Sequence, residues 1–224
     1  LAAGAARGQA DEQGVTPLYM ACQEGRLECV RLLLEASAAV NQAAAGGFTP
    51  LFIACQKGHL EIVGLLLGAS AAVNQAAEDG YTPLYVACHF GHLEIVRLLL
   101  EATASVDQAR HDGVTPLFMA CRFGHLDVAR LLRDAGASVN QATENGATPL
   151  FIACQNGHLE CAQVLQQAGA ALSQAMVNGA TPLLVACQNG HLDIARLLLE
   201  TGASVIQASN RGSTPLLIAC QKGH

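Results

Sequence analysis

Cysteine and histidine recur as a pair at Cys55/His59, Cys88/His92, Cys121/His125, Cys154/His158, Cys187/His191 and Cys220/His224. Thiolate and imidazole at short spacing are zinc donors, and zinc wants four of them converging, with sulfur about 2.3 Å from the metal. Each copy here offers two donors, and a glycine stands directly before every histidine. That glycine reads as the end of one helix, so the cysteine belongs to a helix interface and the histidine to the next element. The donors face different ways, and the spacing predicts no metal site. Cys22 completes a series of seven cysteines at one sequence interval. Equivalent helices packed side by side lie about 8–10 Å apart, beyond the roughly 7 Å between Cα atoms that a disulfide spans. The series is expected as free thiols in a reducing, intracellular compartment, the cytoplasm above all. Cys29 and Cys161 stand outside it. Each is expected near the series cysteine of its own unit, Cys22 or Cys154, as an inert packing residue.

Catalytic patterns are missing. The chain has no G-x-S-x-G, no P-loop, no G-x-G-x-x-G after a strand and no H-E-x-x-H. Acids such as Glu94 and Asp127 read as first-turn charges that suit a helix N-terminus. The expectation is a protein that is not an enzyme and uses no cofactor.

The elements that position these residues follow from one repeat. Thr-Pro-Leu begins at Thr16, Thr49, Thr82, Thr115, Thr148, Thr181 and Thr214, always 33 residues apart, and uses all seven prolines. A strict period of that size marks a stacked array in which each unit covers the apolar face of the next. In the unit 77–109, Asp79-Gly80 is a tight turn. Thr82 caps a helix whose first residue is Pro83. Gly91 ends that helix in a left-handed conformation. His92 opens a second helix with a broad apolar stripe from Leu93 to Leu100, and Val106–Ala109 runs extended into the next turn.

Composition agrees. Apolar residues make up 51% and charged ones 13%, the latter about half the usual share. A formal net charge of -6 argues against nucleic acid as a partner. No apolar run approaches the roughly 18 residues a membrane helix needs.

Turn, Thr-Pro-Leu, short helix, Gly-His, longer helix and extended finger resemble the ankyrin repeat over essentially the whole chain. The resemblance implies an all-α solenoid of stacked helix-turn-helix units with short β-hairpin fingers. It also implies binding of a partner protein through the concave face made by fingers and first helices. Two departures stand out. The histidine usual after Thr-Pro-Leu is replaced by Tyr19, Phe52, Tyr85, Phe118, Phe151, Leu184 and Leu217, an apolar ladder in place of polar ties. A glutamine series, Gln9, Gln42, Gln75, Gln108, Gln141, Gln174 and Gln207, is expected to hydrogen-bond along the fingers.

The repeat divides the chain into the tail of a preceding unit at 1–10, six complete units at 11–43, 44–76, 77–109, 110–142, 143–175 and 176–208, and a truncated seventh at 209–224. Terminal units of such arrays carry polar outer faces, and Leu216, Leu217 and Ile218 do not fit that, so a monomeric piece of a longer array is expected. Ser37, Ser70 and Thr103 stand where later units have Gly136, Gly169 and Gly202. Ala129 and Ala162 replace the valines of Val63 and Val96, and Arg133 and Gln166 replace a leucine such as Leu100. Units four and five are therefore expected to be looser.

Positions that vary on the binding face are free to recognise something. Phe48, Tyr81, Phe90 and Phe123 gather in units two to four, with His89, Arg110, His111 and Arg122 around them. Aromatics and arginine ringed by polar residues have the make-up of an interface hot spot, and acidic or phosphorylated groups on the partner would suit Arg110 and Arg122. The reading is a non-catalytic adaptor. Its rivals are a structural or elastic spacer and the targeting arm of a larger enzyme or channel.

Overall fold

The computed structural model describes residues 9–224. The expected tail of a preceding repeat, 1–10, lies outside them except for Gln9 and Ala10. The chain divides at His111/Asp112 into two compact units. The first holds α1 (Pro17–Gln23), α2 (Leu27–Glu35), α3 (Pro50–Lys57), α4 (Leu60–Gly68), α5 (Pro83–Phe90) and α6 (Leu93–Glu101). The second holds α7 (Pro116–Phe123), α8 (Leu126–Asp134), α9 (Pro149–Asn156), α10 (Leu159–Gln167), α11 (Pro182–Asn189), α12 (Leu192–Glu200) and α13 (Pro215–Lys222).

Local chemistry sets the helix ends. The Thr82 hydroxyl accepts the Tyr85 N–H at 3.0 Å, Pro83 begins α5, and Gly91 closes it at φ 74°. The same cap recurs at every described Thr-Pro-Leu. The second helices lack a side-chain cap at their start. They finish in a double backbone closure: Ala104 N–H donates to the Leu99 carbonyl at 2.9 Å and Thr103 N–H to Leu100 at 3.0 Å. That closure requires a left-handed residue between helix and loop. Ser37, Ser70 and Thr103 adopt it at φ 59°, 64° and 64°.

Packing follows the period. Within the first unit α1 lies against α3 and α3 against α5; within the second, α7, α9, α11 and α13 follow one another. The leucine of each Thr-Pro-Leu from Leu18 to Leu183 is fully buried, as are Leu66, Leu99, Leu132, Leu165 and Leu198 of the second helices. Each such leucine contributes about 1.5–3 kcal/mol relative to exposure. The apolar ladder is buried too, from Tyr19 through Leu184, so these positions pack in the core and the polar ties between repeats fall to other residues.

Three expectations are corrected. The fingers are hairpin turns: Ala77 N–H reaches the Tyr81 carbonyl at 2.9 Å, but neighbouring fingers share one bond, Glu78 N–H to Gly46 O at 3.0 Å. One bond makes no ladder, and no strand occurs among the described residues. The stretch before each finger is likewise a turn, with Gln108 N–H donating to Ser105 O at 3.2 Å. Third, among the described residues, only Gln108 of the glutamine series reaches the neighbouring repeat, at 3.4 Å to Asn74 O. The residue one place earlier does the work instead. Asn41, Asn74 and Asn140 accept the N–H of Ala72, Ser105 and Ala171 at 2.7–2.8 Å. A shorter side chain reaches a neighbour's backbone with less rotamer freedom to lose.

Candidate interaction surface

The Cys-His pairs separate in space. Cys55 and Cys88 are wholly buried under the helices. His59, His92, His158 and His191 each turn Nε2 to the carbonyl of Gln23, Gln56, Arg122 and Gln155, at 3.3, 3.4, 3.1 and 3.1 Å. A backbone carbonyl accepts, so Nε2 carries a proton and donates. The histidine thus ties its repeat to the first helix before it. Among the described residues no three His, Cys, Asp or Glu side chains converge as metal ligands. Cys161 meets Cys121, a cysteine of the preceding repeat. A thiol hydrogen bond from Cys121 holds it below the ordinary cysteine range against the opposing effect of burial, because the second helix leans on the preceding repeat. Cys29 is exposed.

Of the predicted interface residues, six lie in the first unit. Phe48 precedes the α3 cap and meets the Phe52 ring at 4.9 Å. Tyr81 holds the equivalent place before α5 and meets Tyr85 edge-on at 5.1 Å. At the far end of α5 the His89 and Phe90 rings are 4.5 Å apart, and Phe90 is 46% exposed. These rings, with Tyr19, Gln56 and Val86, line a groove of about 440 Å³. The guanidinium of Arg110 lies 4.5 Å above the Tyr81 ring and donates to its hydroxyl at 2.8 Å. Arg110 is therefore a brace for Tyr81. His111 is exposed on its finger.

Arg122 and Phe123 belong to the second unit. Both are exposed, with the guanidinium 5.8 Å from the ring. Arg122 also lines a more polar groove of about 430 Å³ with Asp112, Thr143, Glu144 and Asn145. Its carbonyl receives the Asn156 amide at 2.8 Å in addition to His158.

Tyr19, Phe52 and Tyr85 line the first groove, although their sequence reading is packing alone. The signal was there: in Phe48/Phe52 and Tyr81/Tyr85 one ring stands just before the threonine cap and the other just after Thr-Pro-Leu, in the first turn of the helix.

The repeat geometry matches a known family. A family model described as ankyrin repeats (3 copies) matches residues 1–77, 69–143, 101–175, 136–209 and 168–224. The chain belongs to the ankyrin repeat family. Among solved structures, the ankyrin repeat domain of human ASB11 superposes with a TM-score of 0.84 at 28% identity, covering 92% of each chain. A comparison with curated proteins gives no match. Ankyrin repeats are generally protein–protein interaction modules. Among the described residues no helix is long and apolar enough to cross a membrane.

Proposed function

We propose that this ankyrin repeat chain is a non-catalytic adaptor that binds a partner protein through the face made by its fingers and first helices. The observation that carries this reading is the aromatic groove of the first unit. It leaves Phe90 46% exposed beside the half-buried rings of Phe48, Tyr81 and His89. Large side chains held at a surface by a rigid stack lose little freedom on binding, which is how a few residues come to dominate an interface. Phe48, Tyr81, His89 and Phe90 supply the contact in the first unit, with Arg110 fixing Tyr81 and His111 at the rim. Arg122 and Phe123 supply it in the second, where acidic or phosphorylated groups of the partner face Arg122.

Six repeats, 11–208 as the sequence divides them, and residues 209–224 of a seventh form the scaffold, acting as a monomer in a reducing compartment. The nine cysteines are all free thiols. The adaptor reading is preferred to a spacer because a spacer has no use for exposed phenylalanine. Alanine at Phe90 and at Phe123 should each lower affinity for a captured, purified partner about tenfold or more, since hot-spot losses exceed about 1.4 kcal/mol. Titration calorimetry giving both variants the affinity of the parent chain would refute the placement.

A further inference from the structure

The sequence contains four Asn-Gly pairs, Asn145-Gly146, Asn156-Gly157, Asn178-Gly179 and Asn189-Gly190, all in the second unit. Asparagine before glycine carries a chemistry of its own, because no side chain shields the glycine nitrogen from the asparagine amide carbon, Cγ. That nitrogen loses its proton to solvent base and attacks Cγ. The bond from Cγ to Nδ2 breaks and ammonia leaves, closing a succinimide ring. Water then opens the ring at either carbonyl, to aspartate or to isoaspartate. One water is consumed and one ammonia released, and the step needs no enzyme, metal or oxidant.

In sequence the four pairs are equal. The fold separates them. Asn156 and Asn189 are the last residues of α9 and α11. Their Nδ2 groups donate at 2.8 Å to Arg122 O and Gln155 O of the preceding repeat. The N–H groups of Gly157 and Gly190 close the same helices on the carbonyls of Ala153 and Ala186. Both reacting groups are thus held, and releasing them frays a helix and breaks a tie between repeats.

Asn145 and Asn178 stand exposed in finger turns. Here the glycine N–H makes one turn bond, Gly146 to Thr143 O and Gly179 to Met176 O, each at 2.8 Å. An exposed turn opens at lower cost than a helix packed on its neighbour. The asparagine side chain is also used the other way round. Oδ1 accepts, from Ala147 N–H at 3.2 Å and from Ala180 N–H at 3.0 Å, and the Thr143 hydroxyl adds a second donor to Asn145 at 2.6 Å. Donors on Oδ1 draw electrons from Cγ and steady the oxyanion formed on attack. Among the described residues no partner holds Nδ2, the leaving group, at either finger.

We infer that Asn145 and Asn178 are sites of spontaneous deamidation through a succinimide, and that the fold protects Asn156 and Asn189. The aspartate product fits the turn: Asp79 and Asp112 hold the same finger position in earlier repeats, and Asp112 Oδ1 accepts Val114 N–H at 3.2 Å as Asn145 accepts Ala147. Isoaspartate does not fit. The carbonyls of Asn145 and Asn178 accept the bonds that join finger to finger, from Val177 N–H at 2.9 Å and Asn210 N–H at 3.0 Å. A methylene added to the main chain displaces them. The modification thus puts a carboxylate on each of two fingers and, in its isoaspartate form, loosens their ties. It requires no partner and stands apart from the adaptor reading.

Peptide mapping by mass spectrometry tests this. The full chain is aged in mildly alkaline buffer, folded or in urea, and digested at low pH. In the folded chain Asn145 and Asn178 should convert to aspartate and isoaspartate at least about tenfold faster than Asn156 and Asn189, the rate equivalent of about 1.4 kcal/mol in opening cost. In urea the four rates should draw together. Equal rates at all four sites of the folded chain overturn the inference. So do faster conversion at the helix ends, fingers that stay unmodified while the unfolded chain converts, and a preference for the fingers that persists unchanged in urea.

Discussion

Burial is what fixes the chemistry of the cysteines. The Cys22 and Cys154 thiols are pushed up to about 12 by desolvation, and Cys55, Cys88 and Cys187 are raised by the same cause. An unfolded thiol ionises at about pH 8.5. Between that value and about 12 the folded chain keeps protons that the unfolded chain has released. Stability is therefore complete below about pH 8.5 and falls as pH rises, each buried thiol steepening the slope by about 1.4 kcal/mol per pH unit. Urea unfolding from about pH 8 to 11 checks this. Cys154→Ala should flatten the decline by that amount, and a slope identical to the parent's would show that the thiol does not titrate with unfolding.

At the scale of the element, the second helices end in two ways. Gly136, Gly169 and Gly202 take the left-handed closing position freely, and a Cβ built there meets nothing within 4 Å. Ser37, Ser70 and Thr103 take the same conformation with a side chain attached. The strain of a left-handed L-residue, about 1–2 kcal/mol, is intrinsic to the backbone here, not a clash. Ser70→Gly should therefore stabilise the first unit by about 0.5–1 kcal/mol, once the greater freedom of glycine in the unfolded chain is subtracted. Equilibrium urea denaturation measures it, and a neutral or destabilising result would show that the serine side chain contributes a contact worth as much as the strain.

Across the whole molecule, stability should vary along the repeats. Val63 and Val96 are fully buried in the first unit; Ala129 and Ala162 fill the equivalent places in the second, equally buried but two methyl groups smaller. Lost packing of that kind costs about 1–3 kcal/mol per site when unrelieved. The substitutions at Arg133 and Gln166 matter less than their types suggest. Leu100 at the same position is only half-buried, and Arg133 reaches Asp134 at 2.7 Å from a partly exposed site. Stacked repeats sum local and nearest-neighbour energies, so a local deficit stays local. Amide exchange should be faster over residues 125–170 than over 60–100, and equal protection in both spans would end the idea of a looser zone.

The sequence by itself determined the repeat, the helix boundaries and the buried face, because threonine caps, proline starts, glycine ends and apolar stripes act within a few residues of one another. It also put Phe48, Tyr81, His89, Phe90, Arg110, His111, Arg122 and Phe123 outside the invariant frame. Only the tertiary structure decided what joins the repeats and what shapes the groove. The ties run over 31 residues from asparagine to backbone and 36 from histidine to carbonyl, offsets set by how one helix pair leans on the one before. That lean chose Asn74 over Gln75, gave Cys161 the company of Cys121, and laid Arg110 on Tyr81. A period of 33 names equivalent positions; the contact between unequal ones is fixed by packing.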